Sequence, residues 1–484
     1  MSPVTRPPAA PAPARFPAPA APPPRPTRVL HDWRPEDPAF WTETGQRVAR
    51  RNLVLSVLAL FLAFAVWMVW SVVAAQLPRA GFRLTTEQLF WLAALPGLTG
   101  ATLRIFYGFM VPVFGGRRLT ALATASLLLP AIGIGVQVQD PTTPFWVLAG
   151  LAALSGLGGA NFASSMTNIS FFYPKARKGT ALGLNAGLGN LGVSAVQLLA
   201  PLVVAVGLFG ALGGAPQVVQ QGGQVKQLWL QNASFLWVPL IIVSAVAAWF
   251  GMNDVAGAKA SFREQSVIFR RGHTWLIAWL YTGTFGSFIG YSAGLALLTQ
   301  ASFPTVNAAA YVWIGPLVGA LARPVGGWLA DRLGGARVTL AAFLVMVAGA
   351  LGAMAALPGP GRSGSFPAFL WAFIVLFLAS GIGNGSVYRM IPVVFSSWHA
   401  RRAGGAPEAV AFAQKRALQE TGAVVGFVSA VAAYGAFLVP KAFGTSLRLT
   451  GSPGAALWTF VVAYLSCLVI VWWFYARPDA ELPA

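Results

Sequence analysis

Two arginines stand inside long apolar runs of this chain, and each lies midway between two glycines. Arg104 is centred in residues 100–108 and Arg323 in residues 319–327, and both stretches read Gly-x3-Arg-x3-Gly. A guanidinium group is a planar fork of N–H donors, which suits the oxygens of a planar anion. The neighbouring residues are small and uncharged, which argues against phosphate esters and dicarboxylates. The pair therefore predicts a binding site for a small oxygen-bearing anion.

The composition indicates an all-α integral membrane protein. Of the 484 residues 56% are hydrophobic and 10% are charged, against roughly 25% charged in soluble domains. Apolar windows of about 20 residues, the length that crosses a bilayer, predict about twelve transmembrane helices. The windows are 52–75, 89–114, 119–138, 144–172, 180–209, 231–252, 274–298, 307–330, 337–357, 366–395, 417–440 and 453–476.

The basic residues predict the orientation of these spans. Placing both termini in the cytoplasm puts 24 of the 33 Lys and Arg residues inside and 6 outside, and leaves 3 within spans. Lys and Arg in short loops are retained on the cytoplasmic side. The net charge of +20 is thus explained by topology, and we expect a multi-pass protein of the bilayer that binds no nucleic acid.

Both arginines are predicted to lie near the middle of the membrane. Arg104 precedes Gly115 by 11 residues, and Arg323 precedes Gly334 by the same 11, which is about 16 Å of helix. A charge at that depth costs at least about 2.5 to 3.5 kcal/mol. The 13 Asp and Glu residues all lie in tails, loops or span ends. The missing partner is therefore expected to be an anion that arrives from solution.

The chain repeats itself. With Arg104 aligned on Arg323, an offset of 219 residues, further positions match, and a second set matches at an offset of 239. The repeat predicts two pseudo-symmetric halves of six helices, at 32–252 and 274–476. A disordered Pro/Ala-rich tail (1–31), a cytoplasmic linker (253–273) and a cytoplasmic C-terminal tail (477–484) complete the expected organisation. The matched pairs are Gly115 and Gly334, Gly116 and Gly335, Arg118 and Arg337, Thr120 and Thr339, Gly183 and Gly422, Gly187 and Gly426, and Pro201 and Pro440.

Parallel six-helix repeats are typical of major facilitator transporters, in which the halves rock about a central site. The stretch from Asp331 to Arg337 resembles the cytoplasmic loop motif of that superfamily. The matching stretch of the first half, residues 114–118, reads Phe-Gly-Gly-Arg-Arg and lacks the Asp-Arg pair. Arg389, inside the tenth span, has no counterpart in the first half, and its pattern favours snorkelling or a part in the gate.

Other side chains are candidates for the same site. Asn190 shares a helical face with two glycines, predicted to be a closely packed surface, from which its amide could reach the site. Phe162 in the fourth span, and Tyr281 and Phe285 one turn apart in the seventh, could form its walls. The residues alone leave plainer roles open: hydrogen bonds to helix carbonyls for the arginines, helix packing for Asn190, and core packing for the aromatic rings.

Two stretches carry a family resemblance. Residues 156–175 (GLGGANFASSMTNISFFYPK) and 179–192 (GTALGLNAGLGNLG) resemble the signature of the nitrate/nitrite porter family, and the likeness extends from residues 32–41 (DWRPEDPAFW) to the last span. The second signature region, 422–435, departs from the pattern by beginning after Gln419-Glu420. The resemblance implies that Arg104 and Arg323 clamp the anion, that Asn190 and Tyr281 hydrogen-bond it, and that Phe162 and Phe285 enclose or gate it.

The sequence disfavours an enzyme. His31, His273 and His399 lie outside the apolar runs, and paired carboxylates, a thiol nucleophile and a metal cluster are not visible. Cys467 is the single cysteine and cannot form an intrachain disulfide. We expect no cofactor and no metal.

The function expected from the residues and the resemblance is exchange of nitrate and nitrite across the bacterial inner membrane, nitrate in and nitrite out, by a monomer. Two alternatives stay open. One is a proton-coupled nitrate symporter, for which Glu420 is the candidate titratable group near a span interior. The other is a membrane sensor or scaffold that binds the anion without moving it, which flux into vesicles would separate from a transporter.

Overall fold

The computed structural model describes residues 28–221, 224–256, 266–359, 361–403 and 407–484. Most of the predicted tail and residues 257–265 of the predicted linker lie outside the described residues. The first six long helices are α1 Pro38–Gln76, α2 Thr86–Phe114, α3 Gly116–Gln137, α4 Phe145–Phe172, α5 Lys175–Val203 and α6 Asn232–Gly251. The second six are α7 (residues 272–302), α8 Ile314–Leu333, α9 Gly335–Ala356, α10 Phe366–Arg402, α11 (residues 407–450) and α12 Gly454–Ala476. Each matches a predicted span.

In the described part of the chain, 11 helices are long and apolar enough to cross a membrane. The remaining long helix, α7, is rich in Gly, Ser, Thr and Tyr, yet its residues 284–299 are all buried. A helix that other helices surround does not need an apolar surface for lipid. The polar composition of α7 therefore reflects a central position in the bundle.

The described residues also form four short strands at the helix ends: β1 Val29–Leu30, β2 Gln217–Gln221, β3 Gln224–Leu228 and β4 Asp254–Val255. β2 and β3 pair in antiparallel register between α5 and α6, and β1 pairs with β4 in parallel. β1 thus lies in residues 28–31, the part of the predicted tail that the structure describes. The segment before α1 and the segment after α6 hold each other at the predicted cytoplasmic end.

The junctions α2–α3 and α8–α9 have the same backbone conformation. Gly115 has φ 82° and Gly334 has φ 89°, a region that side chains with a Cβ rarely enter. Each glycine ends one helix as the next begins at the following residue. The two glycines that the sequence repeat aligns therefore have nearly the same backbone conformation.

The glycine four residues before each arginine brings helices close together. A Cβ at Gly100 would lie 2.8 Å from Trp67 Nε1 and 3.2 Å from Gly159 Cα, and a Cβ at Gly319 would lie 2.8 Å from the ring of Phe288. Only a residue without a side chain allows this approach. Gly100 thus holds α2 close to α4 in the first half, as Gly319 holds α8 beside α7 in the second.

The first half lacks the Asp-Arg pair of the loop motif, but a carboxylate from the other end of that half, Asp254, lies at the same junction between α2 and α3. Asp254 in β4 accepts hydrogen bonds from the backbone N of Arg117 at 2.8 Å and from its Nε at 3.2 Å. Both side chains are nearly buried, and the carboxylate lies at the N-terminus of α3, where anions are stabilised. In the second half Asp331 of α8 pairs with Arg389 of α10, so the charge of Arg389 has a carboxylate partner.

The two halves touch at the predicted extracellular end. Glu87 of α2 lies 3.0 Å from Lys441 Nζ and 3.2 Å from Arg448 Nε of α11. Deeper in the bundle, the hydroxyls of Thr102 and Tyr434 are 2.9 Å apart. These contacts join α2 to α11 and close that end of the interface between the halves.

Candidate functional site

Arg104 lies in the middle of α2 and is 1% exposed. Its Nε and Nη2 donate to the carbonyl oxygen of Gly159 at 2.9 and 2.7 Å, and its Nη1 donates to the carbonyl oxygen of Ser429 at 3.1 Å. Gly159 belongs to α4 and Ser429 to α11. The side chain therefore crosses from one half of the protein to the other.

Three aromatic rings surround this guanidinium group. Its Cζ lies 4.8 Å from the ring centroid of Phe162, 5.2 Å from that of Trp67 and 5.8 Å from that of Phe285. Aromatic faces attract cations, more strongly where water is excluded. Sequence reasoning missed Trp67, because nothing in its spacing on α1 relates it to α2. Its Nε1 donates to Pro96 O at 2.7 Å, which fixes the ring.

Arg323 has a different environment. It is 7% exposed, and its Nη2 donates to the hydroxyl oxygen of Tyr281 at 3.0 Å. Its Nη1 has no partner among the described residues. Its Cζ lies 5.4 Å from the ring centroid of Tyr388, a residue that sequence reasoning also missed. Arg104 is thus largely bonded within the protein, whereas Arg323 keeps free donors.

Stacked rings connect the two arginines. Tyr281 and Phe285 stack with centroids 5.5 Å apart and an interplanar angle of 14°, and Phe285 stacks on Phe162 at 6.4 Å and 25°. Residues Thr282–Gly286 form a π-helical turn of α7 that directly follows Tyr281 and contains Phe285, a distortion frequent at functional sites. Five of the six predicted site residues therefore lie in one continuous set of contacts.

Asn190 is the sixth. It is 1% exposed, and neither its amide oxygen nor its amide nitrogen has a partner in the described structure. No described contact joins it to either arginine. An unpartnered buried amide costs about 1 to 3 kcal/mol, so Asn190 is not explained as a bond between helices. It is a polar group available to a ligand.

The glycine face beside Asn190 is open, so the prediction of close packing there is wrong. Positions 183 and 187 have no atom within 4 Å of a built Cβ. The close contacts of α5 lie on its other face, where a Cβ at Gly189 would be 2.7 Å from Leu60 of α1. Glycines 422 and 426 of α11 are equally open. Small residues here leave room toward the predicted cytoplasmic end.

The site carries positive charge without an internal counter-ion. Among the described residues neither Arg104 nor Arg323 pairs with a carboxylate, and no group of three His, Cys, Asp or Glu residues could hold a metal. Buried charges of one sign favour a ligand of the opposite sign. Two guanidinium groups, aromatic faces and unpartnered polar atoms together suit a small planar anion.

Comparison with known proteins shows the family to which the chain belongs. The Major Facilitator Superfamily pattern matches residues 55–414. A nitrate/nitrite transporter, NarU of Salmonella typhimurium, is 51% identical over 93% of this chain and 96% of its own length. This chain belongs to the nitrate/nitrite porter family of the major facilitator superfamily. NarU of Escherichia coli is 49% identical, and a probable nitrate/nitrite antiporter of Thermus thermophilus, NarK2, is 41% identical, each over at least 93% of this chain and 96% of its own length.

Solved structures agree on the fold. The xylose transporter XylE of E. coli, in a partially occluded inward-open conformation, superposes with a TM-score of 0.61 over 88% of this chain and 97% of its own, at 12% identity. A bacterial homologue of the lysosomal transporter Spinster, inward-facing, gives a TM-score of 0.56 over 88% and 94% at 16% identity. The predicted architecture of two six-helix halves is confirmed.

Proposed function

We propose that this protein exchanges nitrate and nitrite across the bacterial cytoplasmic membrane by alternating access, nitrate moving in and nitrite out. The observation that carries the proposal is the pair of buried arginines, Arg104 and Arg323, which are joined by stacked rings and have no carboxylate partner among the described residues. The names of the similar proteins, nitrate/nitrite transporters and a probable antiporter, supply the identity of the anion.

The site residues have distinct proposed roles. Arg104 and Arg323 neutralise the anion, and Phe162 and Phe285 cover its faces. Tyr281, whose hydroxyl oxygen already accepts from Arg323, keeps its O–H free to donate to the anion. Asn190 supplies an amide that has no partner in the described part of the chain. Planar anions suit this combination of edge donors and flat apolar walls.

The arrangement of the halves supports alternating access. α2 and α11 are joined by ion pairs at the predicted extracellular end, while the glycine faces of α5 and α11 are open toward the predicted cytoplasmic end. A site between two rigid halves that is closed at one end and open at the other fits one state of a rocking cycle.

Counterflow in reconstituted vesicles tests this function. Vesicles loaded with nitrite should accumulate labelled nitrate transiently, and the same vesicles offered chloride, formate or phosphate should not accumulate them. Binding of nitrate without any flux would contradict the proposal and favour an anion sensor. Protein-free vesicles, and vesicles with the Arg323→Ala variant, are the controls for leakage.

A further inference from the structure

Tyr388 of α10 has a hydroxyl group that makes no hydrogen bond within the described part of the chain. The hydroxyl oxygen is buried and has no hydrogen-bond partner among the described residues. Most other buried tyrosines of the second half are bonded: Tyr464 to Ser287 and Tyr291, and Tyr475 to His273. Leaving a buried hydroxyl without a partner is unfavourable. The exception at Tyr388 therefore points to a partner that is not part of the chain.

The position of this hydroxyl relates it to the anion site. The ring of Tyr388 lies 5.4 Å from Arg323 Cζ and 6.2 Å from the ring of Tyr281. Arg323 Nη1, which is also buried, lacks a partner as well. Two unpartnered donors thus belong to side chains in contact. Neighbouring oxygens of one planar anion would satisfy both, because each oxygen is a hydrogen-bond acceptor.

We propose that the Tyr388 hydroxyl binds the oxygen by which nitrate differs from nitrite, and so makes the site discriminate between the two anions. The inference rests on the proposed function. A guanidinium fork engages two oxygens of a planar anion, and nitrite has no further oxygen to offer. The third oxygen of nitrate is one acceptor more than nitrite has, and the unpartnered hydroxyl of Tyr388 beside Arg323 is the donor that we assign to it.

A structural role of Tyr388 makes a different prediction. Its ring packs over Arg323 and against Tyr281, and a phenylalanine keeps that ring while removing only the O–H. If Tyr388 acts through its ring alone, Tyr388→Phe leaves both anions unaffected. If the hydroxyl binds nitrate, the variant loses affinity for nitrate specifically. The Tyr388→Phe variant therefore distinguishes the role of the hydroxyl group from that of the ring.

The experiment measures KM for nitrate and for nitrite in exchange by wild type and Tyr388→Phe in vesicles, together with the Kd of both anions for the purified protein. We expect KM for nitrate to rise about tenfold and KM for nitrite to rise less than about threefold, as expected for loss of one hydrogen bond to a charged partner. Tyr464→Phe is the matched control, because it removes a buried hydroxyl bonded elsewhere, and its nitrate-to-nitrite ratio should equal that of wild type.

Equal changes for the two anions in Tyr388→Phe, or no change for either, would overturn the assignment while leaving the transport function intact. Failure of the wild type to bind or exchange either anion would instead overturn the proposed function, and the inference with it. Binding to purified protein keeps the test decisive if a variant reconstitutes poorly, because the ratio of the two Kd values does not depend on the amount of active protein in vesicles.

Discussion

At the scale of single residues, the arginines differ from lysine in the planar fork of N–H donors that carries their charge. Arg104 uses its Nε, Nη1 and Nη2 at once, bonded to carbonyl oxygens of α4 and α11. A lysine would keep the charge but could not satisfy these carbonyls or grip two anion oxygens together. The guanidinium shape, rather than charge alone, is what the site requires.

We therefore expect Arg104→Lys and Arg323→Lys each to reduce nitrate exchange at least about tenfold, because a hydrogen bond to a charged group contributes about 1.5 to 3 kcal/mol. Initial exchange rates at equal protein density in vesicles measure this. Arg362→Lys, at an exposed position in the loop between α9 and α10, is the control and should match wild type. Wild-type rates in both site variants would contradict the clamp.

Asn190 can be compared with a neighbour on the same helix. Asn185 is also buried, but its amide nitrogen donates to Ser165 Oγ at 2.7 Å, which gives it a structural role. We expect Asn190→Ala to raise the Kd for nitrate about tenfold with little loss of thermal stability, and Asn185→Ala to lower stability while keeping the Kd. Calorimetric titration and a melting curve in detergent distinguish them, and equal effects on Kd would make Asn190 a packing residue.

At the scale of elements, the sequence predicts where each helix lies but not which loops meet. Apolar windows locate the twelve long helices of the described residues, and the repeat pairs Gly115 with Gly334, since both signals can be read from the residue types of short stretches. The partnership of Arg117 with Asp254 spans 137 residues, and nothing in either segment indicates it. The free hydroxyl of Tyr388 and the Ser429 carbonyl under Arg104 likewise depend on how α10 and α11 are placed in three dimensions.

The ion pairs at the two helix junctions differ in burial, which predicts a difference in stability. The side chains of Arg117 and Asp254 are 7% and 12% exposed, whereas those of Arg389 and Asp331 are 53% and 52% exposed. Removing one member of a buried pair leaves an uncompensated charge and costs about 3 to 5 kcal/mol, against at most about 1 kcal/mol for an exposed pair. Asp254→Ala should thus lower the free energy of unfolding far more than Asp331→Ala, as measured by denaturant unfolding in detergent micelles.

At the scale of the whole molecule, the two halves meet over a site that holds two positive charges. A bound nitrate or nitrite neutralises one charge and offers acceptors to donors from both halves, which lets the loaded site close. Without an anion, Arg104 still reaches the Ser429 carbonyl of α11, but Arg323 keeps an unpartnered Nη1. Reorientation of the empty protein should therefore be slow, and that of the loaded protein fast.

This asymmetry predicts obligatory exchange without a proton. Glu420, the candidate group for proton coupling, is already paired: its Oε1 lies 2.9 Å from Arg271 Nη2 and its Oε2 3.2 Å from His399 Nε2. It has no described contact with either site arginine, so its protonation does not change the charge that the anion meets.

Nitrate uptake should require nitrite or nitrate inside the vesicles, and an inward pH gradient should not replace them. The measurement compares initial uptake into vesicles loaded with nitrite, with nitrate or with neither, each with and without the gradient. Uptake into anion-free vesicles driven by the gradient alone would contradict exchange, and its loss in Glu420→Gln would then identify the proton-binding group of a symporter.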